Sequence, residues 1–352
     1  MKSRALNKAF LIGALPFVLC TLVAVFLQQL YLLLVPVGLV VIYLLFQKPV
    51  LLFYGLLICI PWSVEYNFSS SLATDLPDEP LMLLNALAAV VCLIYNYKRL
   101  RQKSSWHPLI LLLLLQYAWL LITVFYSTGL LISIKYLLAK SWYLLAFVAC
   151  PVLFFTSKKE VKIAALLLLS SMMLLVCLTM IRHYQNGFTF AAINDSLSPF
   201  FRNHVNYSAL LVCMLPLLIV FYKNAERIVV KRWLLFFSAV TLLALYLSYA
   251  RGAWLALIIG LMVYGLLSKG WLLQSFFALI FFCCVSIFYL KSSDRYLQLA
   301  PKFKTTIFHT NFSEHLIATY EGKDVSTAER FYRWVAGFNM IKDKPVIGFG
   351  PN

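Results

Sequence analysis

From residue 9 to residue 290 the chain alternates long apolar runs with short polar segments. The runs are close to the ~20 residues that carry a helix across a bilayer. Eleven spans are predicted, at about 9–27, 30–46, 50–65, 81–96, 109–126, 142–156, 163–181, 207–222, 233–250, 254–268 and 272–290. Only helices or closed barrels satisfy their backbone groups in lipid. Runs this long and uniformly apolar do not suit the alternating strands of a barrel. The predicted fold class is therefore all-α, a polytopic bundle of transmembrane helices. One stretch breaks the pattern: residues 128–141, TGLLISIKYLLAKS, are amphipathic and are expected to lie at the membrane interface.

Composition agrees. The 352 residues are 62% hydrophobic with a mean hydropathy of +0.86, and 12% are charged, against about 25% in a soluble domain. The net charge of +17 raises the question of nucleic acid. Most of the cations, however, sit in short loops between apolar runs, where the positive-inside rule puts them, so nucleic acid is not an expected partner. With the N-terminus in the cytoplasm, sixteen Lys and Arg fall on the cytoplasmic side, among them Lys2, Lys98, Arg99, Lys158, Lys223 and Lys269. Five fall outside: Lys135, Lys140, Arg182, Arg202 and Arg251. The external loop 66–80 carries Asp75, Asp78 and Glu79 and no cation. Residues 1–290 then form the membrane domain, and 291–352 form an extracytoplasmic cap expected to be mostly helical. The basic N-terminus reads as an uncleaved first helix, because a second span follows directly.

Arg251 stands inside LYLSYARGAWLALIIGL, with no other charge from Trp233 to Ser268. A guanidinium keeps its proton at ordinary pH and is costly in hydrocarbon. The topology puts it at the outer turn between the ninth and tenth spans, beside Gly252. There it either snorkels to lipid phosphate or is held to grip an anionic headgroup. Three further arginines share that side: Arg202 in SPFFRNHVNYS, and Arg330 and Arg333 in DVSTAERFYRWVAGFNMIKDKPVIGFGPN. This last segment predicts a helix over about 326–343. Ser326 and Glu329 make a capping box. Phe331, Trp334, Val335, Phe338 and Ile341 repeat at helical spacing, and Pro345 and Gly348 end it. Its apolar face fits packing on the membrane domain or lying in the interface. Arg330 and Arg333 also fit a plain solvated face.

Other chemistry is sparse. The eight cysteines lie in apolar runs without disulfide or metal spacing. His183, His204, His309 and His315 are external but lack metal-ligand spacing, and each alone reads as an ordinary loop histidine. No metal or cofactor is expected. There is no glycine-rich phosphate loop or nucleophile elbow. All thirteen acidic residues lie in loops or at span ends, which argues against an ion-coupled transporter. A lipid-linked sugar flippase would need a polar path, and the spans offer little beyond Asn85, Gln116 and scattered Ser and Thr.

RGAW at an outer hairpin, followed by a long external segment holding AERFYRWVAGFNMIKDKPVIGFGPN, resembles the O-antigen ligase and polymerase superfamily. The motif-level likeness covers about residues 200–352, with P-x-x-G-x-G at Pro345 to Gly350. The resemblance implies a metal-independent, GT-C-like glycan transferase in the bacterial inner membrane, active at the periplasmic face. Its donor is a glycan on undecaprenyl diphosphate. Its acceptor is a sugar hydroxyl on lipid A–core in a ligase, a second lipid-linked glycan in a polymerase, or a protein hydroxyl. The motif match makes Arg251 and Arg330 the donor-diphosphate ligands, with Arg202 and Arg333 as supplements. It also implies a histidine base C-terminal to P-x-x-G-x-G, past Asn352, and a further span. The expectation is thus a chain shortened at its C-terminus relative to the family, and an inactive remnant stands as the alternative.

Overall fold

Residues 18–29, 34–69, 72–95, 107–292 and 325–351 are described by the computed structural model. The chain divides into two units: Met1–Ser63 with Phe68–Pro108 and Leu138–Leu167, and Val64–Asn67 with Leu109–Leu137 and Leu168–Asn352.

In the first unit, helix α1 (Leu34–Gln47) meets α2 (Pro49–Cys59) at a sharp break. Pro49 supplies no amide donor and disfavours helical backbone at Lys48, whose φ of −146° and ψ of 61° leave the helix. The two pieces bend by 119°. Strands β1 (Val64–Ser69) and β2 (Leu72–Leu76) form a two-stranded sheet. Helix α3 (Asp78–Tyr95) starts with two acidic residues, Asp78 and Glu79, which complement the positive end of the helix dipole. Asp78 Oδ1 also accepts from Ser63 Oγ and from the Glu79 amide. Ala86, Ala88 and Ala89 are buried, and such small residues let helix backbones approach closely in membrane bundles. Asn85 is buried too, and its Nδ2 donates to the carbonyls of Leu81 at 2.8 Å and Leu52 at 3.3 Å.

Helix α4 spans Pro108–Phe125. Helix α5 runs as one apolar element over Leu130–Phe154, with a π segment at Leu145–Ala149. Pro151 stands two residues after it. A proline removes one ladder donor and crowds the preceding turn, and a π turn is a local way to absorb such a mismatch.

The second unit takes most of α4 and the start of α5. It continues with the Leu168–Gln185 part of α6 (Lys158–Gln185), the short α7 (Ile193–Leu197), α8 (His204–Lys223), α9 (Ile228–Leu247), α10 (Arg251–Ser268), α11 (Leu272–Lys291) and α12 (Val325–Asp343). α8 packs on α9 and on α10. Leu175, Val176, Leu211, Met214, Leu218, Ala244 and Leu245 form its core. Tyr207 is buried there, its hydroxyl 3.1 Å from Thr179 Oγ1. α11 has no buried residue, as befits a helix whose apolar side chains face lipid. At one end of this helix group, cations rest on aromatic rings: Lys223 Nζ on Tyr264 at 5.4 Å, and Lys269 Nζ on Trp271 at 5.4 Å.

The all-α membrane bundle is as expected, but the span count differs. Among the described residues, eight helices are long and apolar enough to cross a membrane, or nine if α1 and α2 form one broken span. The predicted spans 30–46 and 50–65 are that bent pair. Residues 9–17 of the span predicted at 9–27 lie outside the described residues. The interfacial segment predicted at 128–141 is not separate: it continues into the span predicted at 142–156 as α5, and Lys135 and Lys140 lie on that helix. The loop read at 66–80 contains most of the β-sheet and the start of α3.

Candidate functional site

α9 ends at Leu247 and α10 begins at Arg251, so three residues reverse the chain. So short a turn needs left-handed backbone somewhere, and Tyr249 adopts it, with φ of 56°. For a bulky side chain this costs on the order of 1–3 kcal/mol and persists only where its surroundings impose it. Ser248 Oγ donates to the Leu245 carbonyl at 2.7 Å. Trp254 Nε1 reaches the same carbonyl at 2.9 Å, and its ring stacks on Tyr246, centroids 5.8 Å apart and planes 12° apart. The tryptophan of RGAW thus caps the end of α9 and pins the turn. Gly252 is not demanded by packing, since a Cβ there would meet nothing within 4 Å. Arg251, partly exposed, is the first residue of α10. Its guanidinium therefore belongs to a helix end whose dipole favours anions.

The Tyr249 side chain reaches across to the loop between α6 and α8. Its hydroxyl donates to the Phe188 carbonyl at 2.6 Å. Phe188 is itself left-handed, with φ of 52°, and follows Gly187 at 67°. His183 sits between the two rings, edge-on to Phe188 at 5.2 Å and to Tyr249 at 6.4 Å. It is only 2% exposed, and its Nε2 lies 3.1 Å from the Thr189 carbonyl. Phe190 packs edge-on against Tyr249 at 5.5 Å and His204 at 6.2 Å. Burial pushes the Tyr249 phenol above its ordinary range, and Tyr246 adds to the shift. The hydroxyl therefore stays protonated, as a donor, at neutral pH.

The same loop is tied down along its length. Arg182 donates to the carbonyls of Ser198 and Asp195, and Asn186 Nδ2 donates to Ser196 Oγ at 2.9 Å. Asn203 caps α8 by accepting from the amides of Val205 and Asn206. Asn194 Oδ1 accepts the His204 amide at 2.9 Å and lies 3.1 Å from His204 Nδ1. Arg202 is exposed and pairs with Glu65 at 2.9 Å. His183 is not the loop histidine expected: it belongs to the last turn of α6 and is buried. His309 and His315 lie outside the described residues.

Helix α12 covers Val325–Asp343, close to the predicted 326–343. The Ser326 half of its capping box lies outside the described side chains. Arg330 is exposed, and Arg333 is exposed and paired with Glu329 one turn earlier. Trp334 and Phe338, on the apolar face, are 68% and 63% exposed. Among the described residues that face is thus not packed away, which suits the interface rather than burial on the bundle. After Asp343 the chain turns. The Gly348 amide donates to the Lys344 carbonyl at 3.2 Å, with Gly348 at φ 70°. The Thr128 amide donates to the Phe349 carbonyl at 3.2 Å, and Lys344 Nζ lies 4.7 Å from the Phe349 ring centre. Gly350, at φ 97°, lies against Ser127 so tightly that a Cβ would stand 2.8 Å from the Ser127 Cα. Both glycines of P-x-x-G-x-G are therefore needed by backbone geometry.

Of the four predicted arginines, the described contacts tie the turn bearing Arg251 to the loop bearing Arg202. Those of the α12 end run instead to the α4–α5 turn. Tyr249, Phe188 and His183 were not among the predicted site residues. Their signal is a left-handed backbone and a contact across the sequence, and neither shows in residue type.

These features define a multi-pass membrane protein with a braced, cationic turn outside its spans. Residues 234–352, which hold Arg251, Arg330, Arg333 and the Pro345–Gly350 turn, match the family model described as O-antigen ligase. Over that region, about a third of its length, the chain is similar to the O-antigen ligase family. No curated protein and no solved structure is significantly similar to it.

Proposed function

We propose that the protein transfers a glycan from undecaprenyl diphosphate to a sugar hydroxyl, as an O-antigen ligase does with lipid A–core. The reaction takes place at the periplasmic face of the bacterial inner membrane. The anomeric C–O bond to the diphosphate breaks, and its electron pair leaves with the diphosphate. The acceptor oxygen bonds to the anomeric carbon and releases its proton to a base. The resemblance gives that role to a histidine C-terminal to the Pro345–Gly350 turn.

The observation that carries this reading is Arg251, held at the start of α10 by Trp254 and Tyr249 within the region of the family match. A diphosphate gains charge as it leaves, and arginine forks bind its oxygens in pairs. Such charge stabilisation, in place before the bond breaks, is often the largest catalytic contribution. Arg330 is assigned as the second ligand, with Arg202 and Arg333 supplementing. Their present carboxylate partners, Glu65 and Glu329, would yield to a dianionic donor at little cost, because exposed pairs are worth about 0–1 kcal/mol. The exposed apolar face of α12 would rest in the headgroup region, where the donor's diphosphate also lies.

The test is transfer from undecaprenyl-diphosphate glycan by the full protein. Arg251→Ala and Arg330→Ala should each lower activity roughly ten- to a hundredfold, the scale of a lost charge-assisted contact. Arg251→Lys should recover only part of it, since an ammonium cannot bind two oxygens as a fork. Wild-type rates in both alanine variants would reject the assignment.

A further inference from the structure

Tyr249 occupies a position where glycine would adopt the same backbone without strain. The chain carries instead a large side chain that spans to a loop 61 residues away and ends in a 2.6 Å hydrogen bond. The acceptor, Phe188, is also left-handed. A buried histidine fills the space between the two rings, and Phe190 closes the other side. Strained residues that persist because their surroundings impose them cluster where position matters. The residue two positions on from Tyr249 is Arg251.

We infer that Tyr249 is a positioning residue for Arg251. Its hydroxyl, bonded to the Phe188 carbonyl, fixes the α9–α10 turn against the α6–α8 loop and so sets the guanidinium for an incoming diphosphate. The inference rests on the reading of Arg251 as a diphosphate ligand. The ring alone would hold the turn in place by packing. The hydroxyl adds a directional restraint on backbone rotation at the turn, and rotation there swings the start of α10. Without it the turn samples neighbouring orientations, and the diphosphate contact is made only in part of that population. Affinity then falls in proportion to the competent fraction.

The experiment measures binding of undecaprenyl diphosphate to the full chain in detergent, for the wild type, Tyr249→Phe, Arg251→Ala and the double variant. A fourth variant, Tyr207→Phe, removes a buried hydroxyl elsewhere in the same unit and serves as the control for general loosening. Tyr249→Phe is expected to keep a near-native melting temperature and to weaken binding about tenfold, the scale of one lost restraint at a charged contact. Arg251→Ala weakens it further, and the double variant binds no more weakly than Arg251→Ala. Such non-additivity marks two residues acting through one contact. Tyr207→Phe leaves affinity unchanged. Wild-type affinity in Tyr249→Phe overturns the inference, as does an equal loss in Tyr207→Phe. Losses that multiply in the double variant overturn the positioning role and leave the diphosphate reading standing. Wild-type affinity in Arg251→Ala overturns both.

Discussion

At the scale of single residues, the turn before α10 is governed by side chains that serve backbone groups. Trp254 gives its indole proton to the Leu245 carbonyl, which also accepts from Ser248. Trp254→Phe keeps a ring over Tyr246 but loses that bond. It should cost about 1 kcal/mol, read as a lower melting temperature in detergent, with donor binding reduced less than in Arg251→Ala. RGAW thus sets an arginine at the start of α10 beside the tryptophan that pins the turn. The arginine is legible in the sequence because a lone charge in an apolar run stands out. The role of Tyr249 is not, since one tyrosine among twenty carries no mark of its φ or of its partner.

Among the elements, the end of α12 is the most constrained. Its boundaries follow from the apolar spacing and from Pro345, so the helix is predictable to about a residue. What lies beyond it depends on a distant partner. Phe349 and Gly350 meet Thr128 and Ser127, more than two hundred residues earlier. Gly350→Ala would strain the φ of 97° and drive a Cβ into the Ser127 backbone. Trimming the serine cannot relieve a contact with its Cα. The variant should release the Pro345–Gly350 turn from the α4–α5 turn, seen as faster trypsin cleavage after Lys342 in otherwise folded protein. Helix α5 shows the opposite limit of sequence reading. Ser133, Lys135, Lys140 and Ser141 interrupt its apolar run and make 128–141 look like a separate amphipathic piece. In the fold Ser133 is buried, its Oγ 2.6 Å from Ser127 Oγ. The polarity of Ser133 is paired with the preceding turn, and the helix runs on unbroken.

For the molecule as a whole, sidedness is the claim on which the function depends. The topology derived from the cations puts Arg202 outside and Lys269 inside. With the eight native cysteines replaced, Arg202→Cys should react with a membrane-impermeant maleimide in intact spheroplasts. Lys269→Cys should react only after permeabilisation. The reverse pattern would put the arginines on the cytoplasmic face and end the proposal of a periplasmic transferase. The membrane bundle itself was readable from the chain because span formation is local: about twenty apolar residues meet the bilayer as a block, whatever their neighbours do. The sequence by itself also determined the α12 helix and the order of motifs that makes residues 234–352 similar to the O-antigen ligase family. The break between α1 and α2 as one bent pair, the unity of α5, and the brace from Tyr249 to Phe188 were decided only in three dimensions. Each depends on a backbone direction or on a hydrogen bond between residues far apart in the chain, and hydropathy along a chain holds no record of either.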